Sequence, residues 1–267
     1  MIPKSHPRYK SLLTRDLVVE GVEKGITGIH GLIAQGRGEA FDYLIGEKTS
    51  ESALKAEKVA AALLLLAKKP VISVNGNVAA LVAKEIIKLS DSVNAPLEVN
   101  LFYRTEERVN KIIEYLRSLG AIRLYTKSDG LIPGLEHERA KVDIDGIFNA
   151  DVVLVPLEDG DRCKALVDMG KTIIAIDLNP LSRTAECADV TIVDNITRAV
   201  PNIAEFGEEL KKLKEDELQK MVKGFDNKKN MNESLKEIIR YLSDSKIRFH
   251  IDKNKENKKQ AIHNSYI

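Results

Sequence analysis

Apolar residues occur along this chain in two patterns. Short continuous runs rich in Val, Ile and Leu occupy residues 70–74, 97–102, 122–125, 151–155, 172–176 and 190–193. Between them lie segments with helical apolar spacing, 78–89, 106–119, 162–169 and 197–213. The first pattern predicts strands buried on both faces, and the second predicts amphipathic helices. Their alternation specifies an α/β domain with a mostly parallel sheet and flanking helices.

The first 50 residues lack strand patterns and predict a helical N-terminal segment. Thr14 is the expected N-cap of a helix over 15–24. Gly25 and Gly28 then interrupt the chain, 29–34 is a short apolar segment, and 40–45 is helical as far as Gly46. Ser50 or Thr49 caps a long helix reaching residue 68. Its second half, 60–67, is apolar on nearly every side, which predicts burial and makes it the candidate face for a partner subunit. Beyond Lys214, segments 216–222 and 233–242 read as helices separated by a polar stretch over 226–232. Three sections follow: residues 1–50, a nucleotide-binding core over 51–225, and a polar helical extension with a lysine-rich tail over 226–267. From residue 252 the composition cannot bury enough surface to order itself, so removing the residues after Phe249 is expected to spare activity.

The chemistry gathers at strand ends, where open α/β sheets bind ligands. The run 172–176 ends at Asp177, followed by Asn179, Pro180, Ser182, Arg183 and Thr184. A carboxylate there can accept both hydroxyls of a ribose diol, and an arginine can grip phosphate. Alternatively, Asp177 and Asn179 only shape an Asx turn. Asn75-Gly76-Asn77 joins a strand to a helix start, a place where backbone N–H groups can bind an anion or simply make a tight turn. Glycines on both sides of Arg37 would let backbone approach a ligand. The stretch 128–139 reads as a long irregular loop suited to substrate contact. Its His137 and Glu138 lack the spacing of a zinc motif.

Charge and composition narrow the classes. Charged residues make up 30% of the 267 and cancel to +1, giving no general attraction to nucleic acid or lipid. Two cysteines, Cys163 and Cys187, make no disulfide framework, so a cytoplasmic protein is expected. The polar N-terminus is not a signal peptide, and 60–67 is too short to span a bilayer. No G-x-G-x-x-G follows a strand, and no G-x-x-x-x-G-K-[ST] is present.

Six stretches together resemble the archaeal 4-phosphopantoate–β-alanine ligase (phosphopantothenate synthetase) family. They are IPKSHPRYKSLLTRD, GLIAQGRGEAFDYLIGEKT, VISVNGNVAAL, GLIPGLEHERAKVD, IDLNPLSRTA and TIVDNITRA, in order over roughly the first 200 residues. The resemblance implies a Rossmann-like fold, a homodimer and a step of coenzyme A biosynthesis. In that step 4-phosphopantoate and β-alanine condense with ATP and Mg²⁺, releasing AMP and diphosphate through an acyl-adenylate. It places ATP on Arg15, Arg37, Asp177, Leu178, Asn179, Arg183, Thr184, Asn195 and Ile196. For the phosphopantoate end the candidates are Asn75, Gly76, Asn77, Arg104, His137 and Arg139. Lys4, Ser5 and His6 could form an arm closing over the site. Two rivals stand beside this reading: an NAD(P)-dependent oxidoreductase and a non-enzymatic nucleotide sensor. The absent dinucleotide fingerprint counts against the first.

Overall fold

The computed structural model of the chain describes residues 3–6 and 8–244. Helices come first: α1 (Tyr9–Glu23), α2 (Ile29–Leu44) and α3 (Glu51–Leu66). The alternation begins with β1 (Pro70–Val74), α4 (Gly76–Ser92), β2 (Leu97–Val99), α5 (Glu106–Ser118) and β3 (Leu124–Tyr125). An antiparallel hairpin follows, β4 (Gly130–Leu131) with β5 (Lys141–Val142). Then come β6 (Val152–Pro156), α6 (Gly160–Asp168), β7 (Thr172–Ile176), α7 (Arg183–Cys187), β8 (Val190–Ile192) and α8 (Ile196–Leu210). Helices α9 (Glu215–Lys223) and α10 (Asn227–Asp244) end the described chain. The tail beyond residue 244, with the expectation placed on it, lies outside the described residues.

Six strands pair in parallel in the order β3-β2-β1-β6-β7-β8. This is the doubly wound order of a Rossmann-like fold. Alternate side chains of each strand enter different cores. Ile72, Leu154 and Ile174 join the cluster that includes α3, α4 and α8. Val71, Val153 and Ile173 join the one beneath α6 and the hairpin. Burial on both faces explains why the strands read as unbroken apolar runs. The edge at β8 is blunted by α10. Asn227 accepts the Thr191 N–H at 2.8 Å, and Asn230 donates to the Thr191 carbonyl at 2.9 Å. Edge groups that would template a further strand are thereby occupied. The polar stretch 226–232 is thus the opening of α10 rather than a linker. No helix among the described residues is long and apolar enough to cross a membrane.

Three local expectations are corrected, and a fourth is borne out in its burial. α1 starts at Tyr9, and Thr14 lies inside it, donating to the Ser11 carbonyl at 2.8 Å instead of capping. A hydroxyl can bond back to its own helix as readily as it can cap. Helix α2 runs unbroken through Gly36 and Gly38, which are therefore not a ligand-facing loop. Each glycine costs about 1 kcal/mol in a helix, and tertiary packing outweighs it. The apolar half of α3 packs against the chain's own α8 and α9, as its expected burial requires: Ala60, Ala61, Ala62 and Leu64 are buried, and Leu63, Leu65 and Leu66 are half-buried. Finally, residues 128–139 are not structureless, since they hold β4 and lead through a short 3₁₀ turn into β5.

Glu57 lies on the inner face of α3, fully buried. Its Oε2 accepts from Asn202 at 2.9 Å, while Oε1 has no partner. Burial, reinforced by the neighbouring Asp194 carboxylate, pushes its carboxyl from 4.5 up to about 8. An acid raised in this way takes up a proton on folding. Its contribution to stability is fully present below about pH 4.5 and is lost as pH rises to about 8. Glu57→Gln keeps the acceptor for Asn202 and abolishes the ionisation. Thermal unfolding should show variant and wild type alike near pH 4, and the variant ahead by at least about 1 kcal/mol at alkaline pH. Parallel pH–stability curves for the two proteins would mean Glu57 titrates normally.

Candidate functional site

Strands β1 and β6 are neighbours whose chains leave the sheet in opposite directions, β1 towards β2 and β6 towards β7. The loops beyond their carboxyl ends part, and a cleft opens between them. Four strand ends wall it: Asn75–Asn77 after β1, Leu157 and Glu158 after β6, Asp177–Asn179 after β7, and Asn195 and Ile196 after β8. Helix α2 lies along it and contributes His30, Gly31, Arg37 and Phe41. Residues 101–103 and Arg108 of α5 close the β2 side.

Asn75 holds the parting strands together. Its Nδ2 donates to the carbonyls of Pro156 and Leu157, both at 3.1 Å. Its Oδ1 accepts the N–H groups of Asn77 and Val78, capping α4. Those N–H groups are therefore already satisfied, and the turn's anion-binding capacity is reduced accordingly. Two glycines let α2 press on this turn. A Cβ on Gly76 would stand 2.6 Å from the Ile26 carbonyl, and one on Gly31 would stand 2.3 Å from Asn77 Oδ1. Asn77 Nδ2 donates to the Gly31 carbonyl at 3.0 Å, completing the joint.

Asp177 stands at the end of β7, mostly buried, and turns its own loop. It accepts the Asn179 N–H at 2.9 Å and the Ser182 hydroxyl at 2.5 Å. Burial raises its carboxyl above the usual range, against those hydrogen bonds and the nearby Arg37 charge. The Asx turn is thus present, and the same residue lines the cleft. Asn195 caps α8 through the Thr197 N–H and donates to Asp42 of α2 at 2.7 Å. Arg198 clamps Asp42 and Asp194 with one nitrogen, at 2.6 and 2.5 Å.

Beneath the cleft is a buried ion cluster. Glu158 lies between the guanidinium groups of Arg139 and Arg162, and Arg139 also meets Asp159 at 3.0 Å. Burial lowers both arginines to about 10. Arg162 is fully enclosed and reaches Ser73 of β1 at 3.2 Å, tying the two sides of the switch point. Glu98 of β2 accepts the Ile147 N–H at 2.7 Å and, chiefly through burial, rises to about 7.

The structure brings together Arg37, Asp177, Leu178, Asn179, Asn195 and Ile196, and with them Asn75, Gly76, Asn77 and Arg139. Five expected residues stand elsewhere. Arg15 belongs to a groove on the opposite side of α2, where its fork grips Glu39 at 2.7 and 3.0 Å. Burial opposes ionisation of Glu39, yet hydrogen bonds from Arg15, Ser11 and Tyr43 hold it down to about 2. Arg183 is exposed and pairs with Asp161. Thr184 is buried behind the wall and donates to the Glu158 carbonyl at 3.1 Å. Arg104 is buried against Ser128 and Glu106. His137 caps the 3₁₀ turn, with its ring 5.1 Å from Phe102. Lys4, Ser5 and His6 do not line the cleft.

Sequence reading missed Arg108, Glu158 and the His30–Tyr103 pair, whose rings stack at 4.3 Å. Arg108 occupies an ordinary amphipathic helix, so no local signal marks it. Among the described residues no group of His, Cys, Asp and Glu is arranged to hold a metal ion.

Comparison with known proteins identifies the lineage of this cleft. The sequence profile described as phosphopantothenate/pantothenate synthetase matches residues 52–241. A 4-phosphopantoate–β-alanine ligase of Methanosarcina mazei is 56% identical over 241 residues, spanning 90% of this chain and 95% of the relative. One of Thermococcus onnurineus is 59% identical over 236 residues, 88% of this chain and 90% of the relative. The profile takes in every wall of the cleft after β1, and the chain belongs to the phosphopantothenate/pantothenate synthetase family.

Proposed function

We propose that this chain is a cytoplasmic 4-phosphopantoate–β-alanine ligase of coenzyme A biosynthesis, working through an acyl-adenylate. The observation that carries the reading is the identity of 56–59% to ligases over about nine-tenths of the chain. The cleft at the switch point, with an acid and an amide at adjacent strand ends, supports it.

In the first step a carboxylate oxygen of 4-phosphopantoate attacks the α-phosphorus of ATP. The bond from that phosphorus to the bridging oxygen breaks, and diphosphate leaves. In the second step the amine of β-alanine attacks the acyl carbon, AMP leaves, and the amine surrenders its proton. Neither step needs a protein nucleophile. The protein must align two anions and offset the charge that develops. Asp177 is assigned to the ribose diol, and Asn195 and Ile196 to the same end of the nucleotide. Arg37, exposed on the cleft face of α2 with no ion pair among the described residues, is assigned to the phosphate chain. Arg15 reaches ATP only by leaving Glu39, Thr184 braces the wall at Glu158, and Arg183 is paired with Asp161 of α6. Mg²⁺ would neutralise charge on the phosphate chain that Arg37 is assigned to hold.

The oxidoreductase reading has no observation in its favour, since β1 leads into Asn75-Gly76-Asn77 rather than a dinucleotide fingerprint. A homodimer is retained as part of the proposal, and its face is assigned to α1 and α2, where Leu13, Val19, Ile29, Ile33 and Leu44 are exposed.

Chromatography of the quenched reaction should find AMP and diphosphate in equal amounts, dependent on Mg²⁺, 4-phosphopantoate and β-alanine. Formation of ADP and orthophosphate instead would sink the adenylate mechanism. Arg37→Ala should lower kcat/KM more than about tenfold, a loss of roughly 1.4 kcal/mol in transition-state binding.

Asp177→Ala should weaken ATP binding by roughly 10- to 150-fold while the fold persists, the cost of a charged hydrogen bond. Unchanged affinity in calorimetric titration would remove Asp177 from the nucleotide site.

Light scattering at micromolar concentration should give twice the chain mass, and Ile33→Lys should halve it. A wild type with the mass of one chain refutes the dimer.

A further inference from the structure

Three arginines line the cleft: Arg37, Arg139 and Arg108. Arg139 is neutralised by Glu158 and Asp159. Arg37 stands near Asp177, whose carboxyl burial raises against the pull of that charge. Arg108 has no such neighbour. Its two terminal nitrogens donate to backbone carbonyls, Nη1 to Tyr103 and Nη2 to Ile26 at 3.2 Å. Both acceptors are uncharged. Its Nε is buried with no partner, and no carboxylate forms an ion pair with it among the described residues. Burial alone lowers its proton affinity, with no acid offsetting the effect. A guanidinium stays protonated in proteins, so the cleft wall carries a partly desolvated cation without a counterion. The two carbonyls hold its fork still, and Gly28 and Gly76 leave the space beside it clear. A Cβ at either glycine would come within 3.4 Å of the terminal nitrogens.

We infer that Arg108 binds the phosphate monoester of the acid substrate, at the opposite end of the cleft from the nucleotide. This rests on the ligase reading above, and sheet order supplies the direction. The nucleotide is assigned to the ends of β7 and β8, whereas Arg108 projects from α5, directly after β2. From β7 to β2 is three strand spacings, roughly 14 Å at about 4.8 Å each. The carboxylate to be adenylated must meet the α-phosphorus between those ends. Phosphate and carboxylate occupy opposite ends of 4-phosphopantoate, so a carboxylate facing the nucleotide sends the phosphate towards Arg108. Of the two arginines nominated for this anion from sequence, Arg104 is buried against Ser128 and Arg139 is held by Glu158 and Asp159. The shared chemistry of β-alanine's carboxylate makes it the competing anion for Arg108.

The test compares full-length wild type, Arg108→Gln and Arg108→Lys, each checked for an unchanged melting profile. Initial rates are measured with 4-phosphopantoate and with unphosphorylated pantoate. Arg108→Gln should raise KM for 4-phosphopantoate more than about tenfold, the loss of a charged hydrogen bond. KM for ATP and β-alanine should stay within about twofold, and preference for the phosphorylated acid should shrink by the same factor as KM rises. Arg108→Lys should recover part of both, and carries the comparison if the glutamine variant does not fold. Unchanged selectivity overturns the proposal, since a residue that merely ties Ile26 to Tyr103 would not alter it. A KM rise confined to β-alanine or to ATP also overturns it. Equilibrium titration with 4-phosphopantoate and pantoate reads the site without turnover. Selective binding by wild type that Arg108→Gln loses upholds the assignment even if no ligation occurs, in which case the ligase reading alone fails. Equal binding of the two acids by wild type overturns the assignment.

Discussion

The cleft depends on how the chain bridges its own divergence between β1 and β6. Parallel strands that wind outward in opposite directions must leave a gap at their carboxyl ends, and the backbone groups there lose their sheet partners. One side chain repairs this. Asn75 uses both amide protons on the carbonyls of Pro156 and Leu157, and its oxygen on the first free N–H groups of α4. No residue but asparagine combines a short reach with two donors and an acceptor in one plane. With the rims pinned, α2 and the loop before it can settle over the turn, where Gly76 admits the Ile26 carbonyl and Gly31 admits the Asn77 side chain.

Charge buried around the cleft does the remaining positioning. Ion pairs in a protein interior are poor sources of net stability, because desolvation consumes most of their attraction. Their directionality is a separate matter. Arg162 Nη1 finds its partners in Glu158 and Ser73, which sets β6 against β1 at the level of the cleft floor. Arg198, Asp42, Asp194 and Asn195 likewise hold α2 at one height over the ends of β7 and β8. The cleft residues left without such partners, Arg37 and Arg108, are the ones to which ligand anions are assigned.

Much of this architecture was legible in the linear chain. The strands at 70–74 and 172–176 match residue for residue, because a strand buried on both faces leaves an unbroken β-branched run that polar flanks delimit. Strand-end chemistry was legible too. Asp177 and Asn195 end strands that could be located from pattern alone, and in this fold strand ends converge. The N-cap at Ser50 is a local event within a few residues, and local pattern finds it.

Properties that depend on which face meets which could not be read that way. Arg15 and Arg37 look alike in sequence, yet they lie on opposite sides of α2, one locked to Glu39 and one open to the cleft. The apolar half of α3 could have met a partner or the chain's own α8, and its composition is identical in either case. Gly36 and Gly38 read as a loop because intrinsic propensity is a small term that packing overrides. Arg108 sits in an unremarkable helix, and its meaning comes from the absence of any carboxylate nearby. Period and propensity are properties of neighbours along the chain, so sequence determined the elements and their order. Burial, pairing and the lack of a counterion are properties of neighbours in space, so they came into being only when the sheet closed around its switch point.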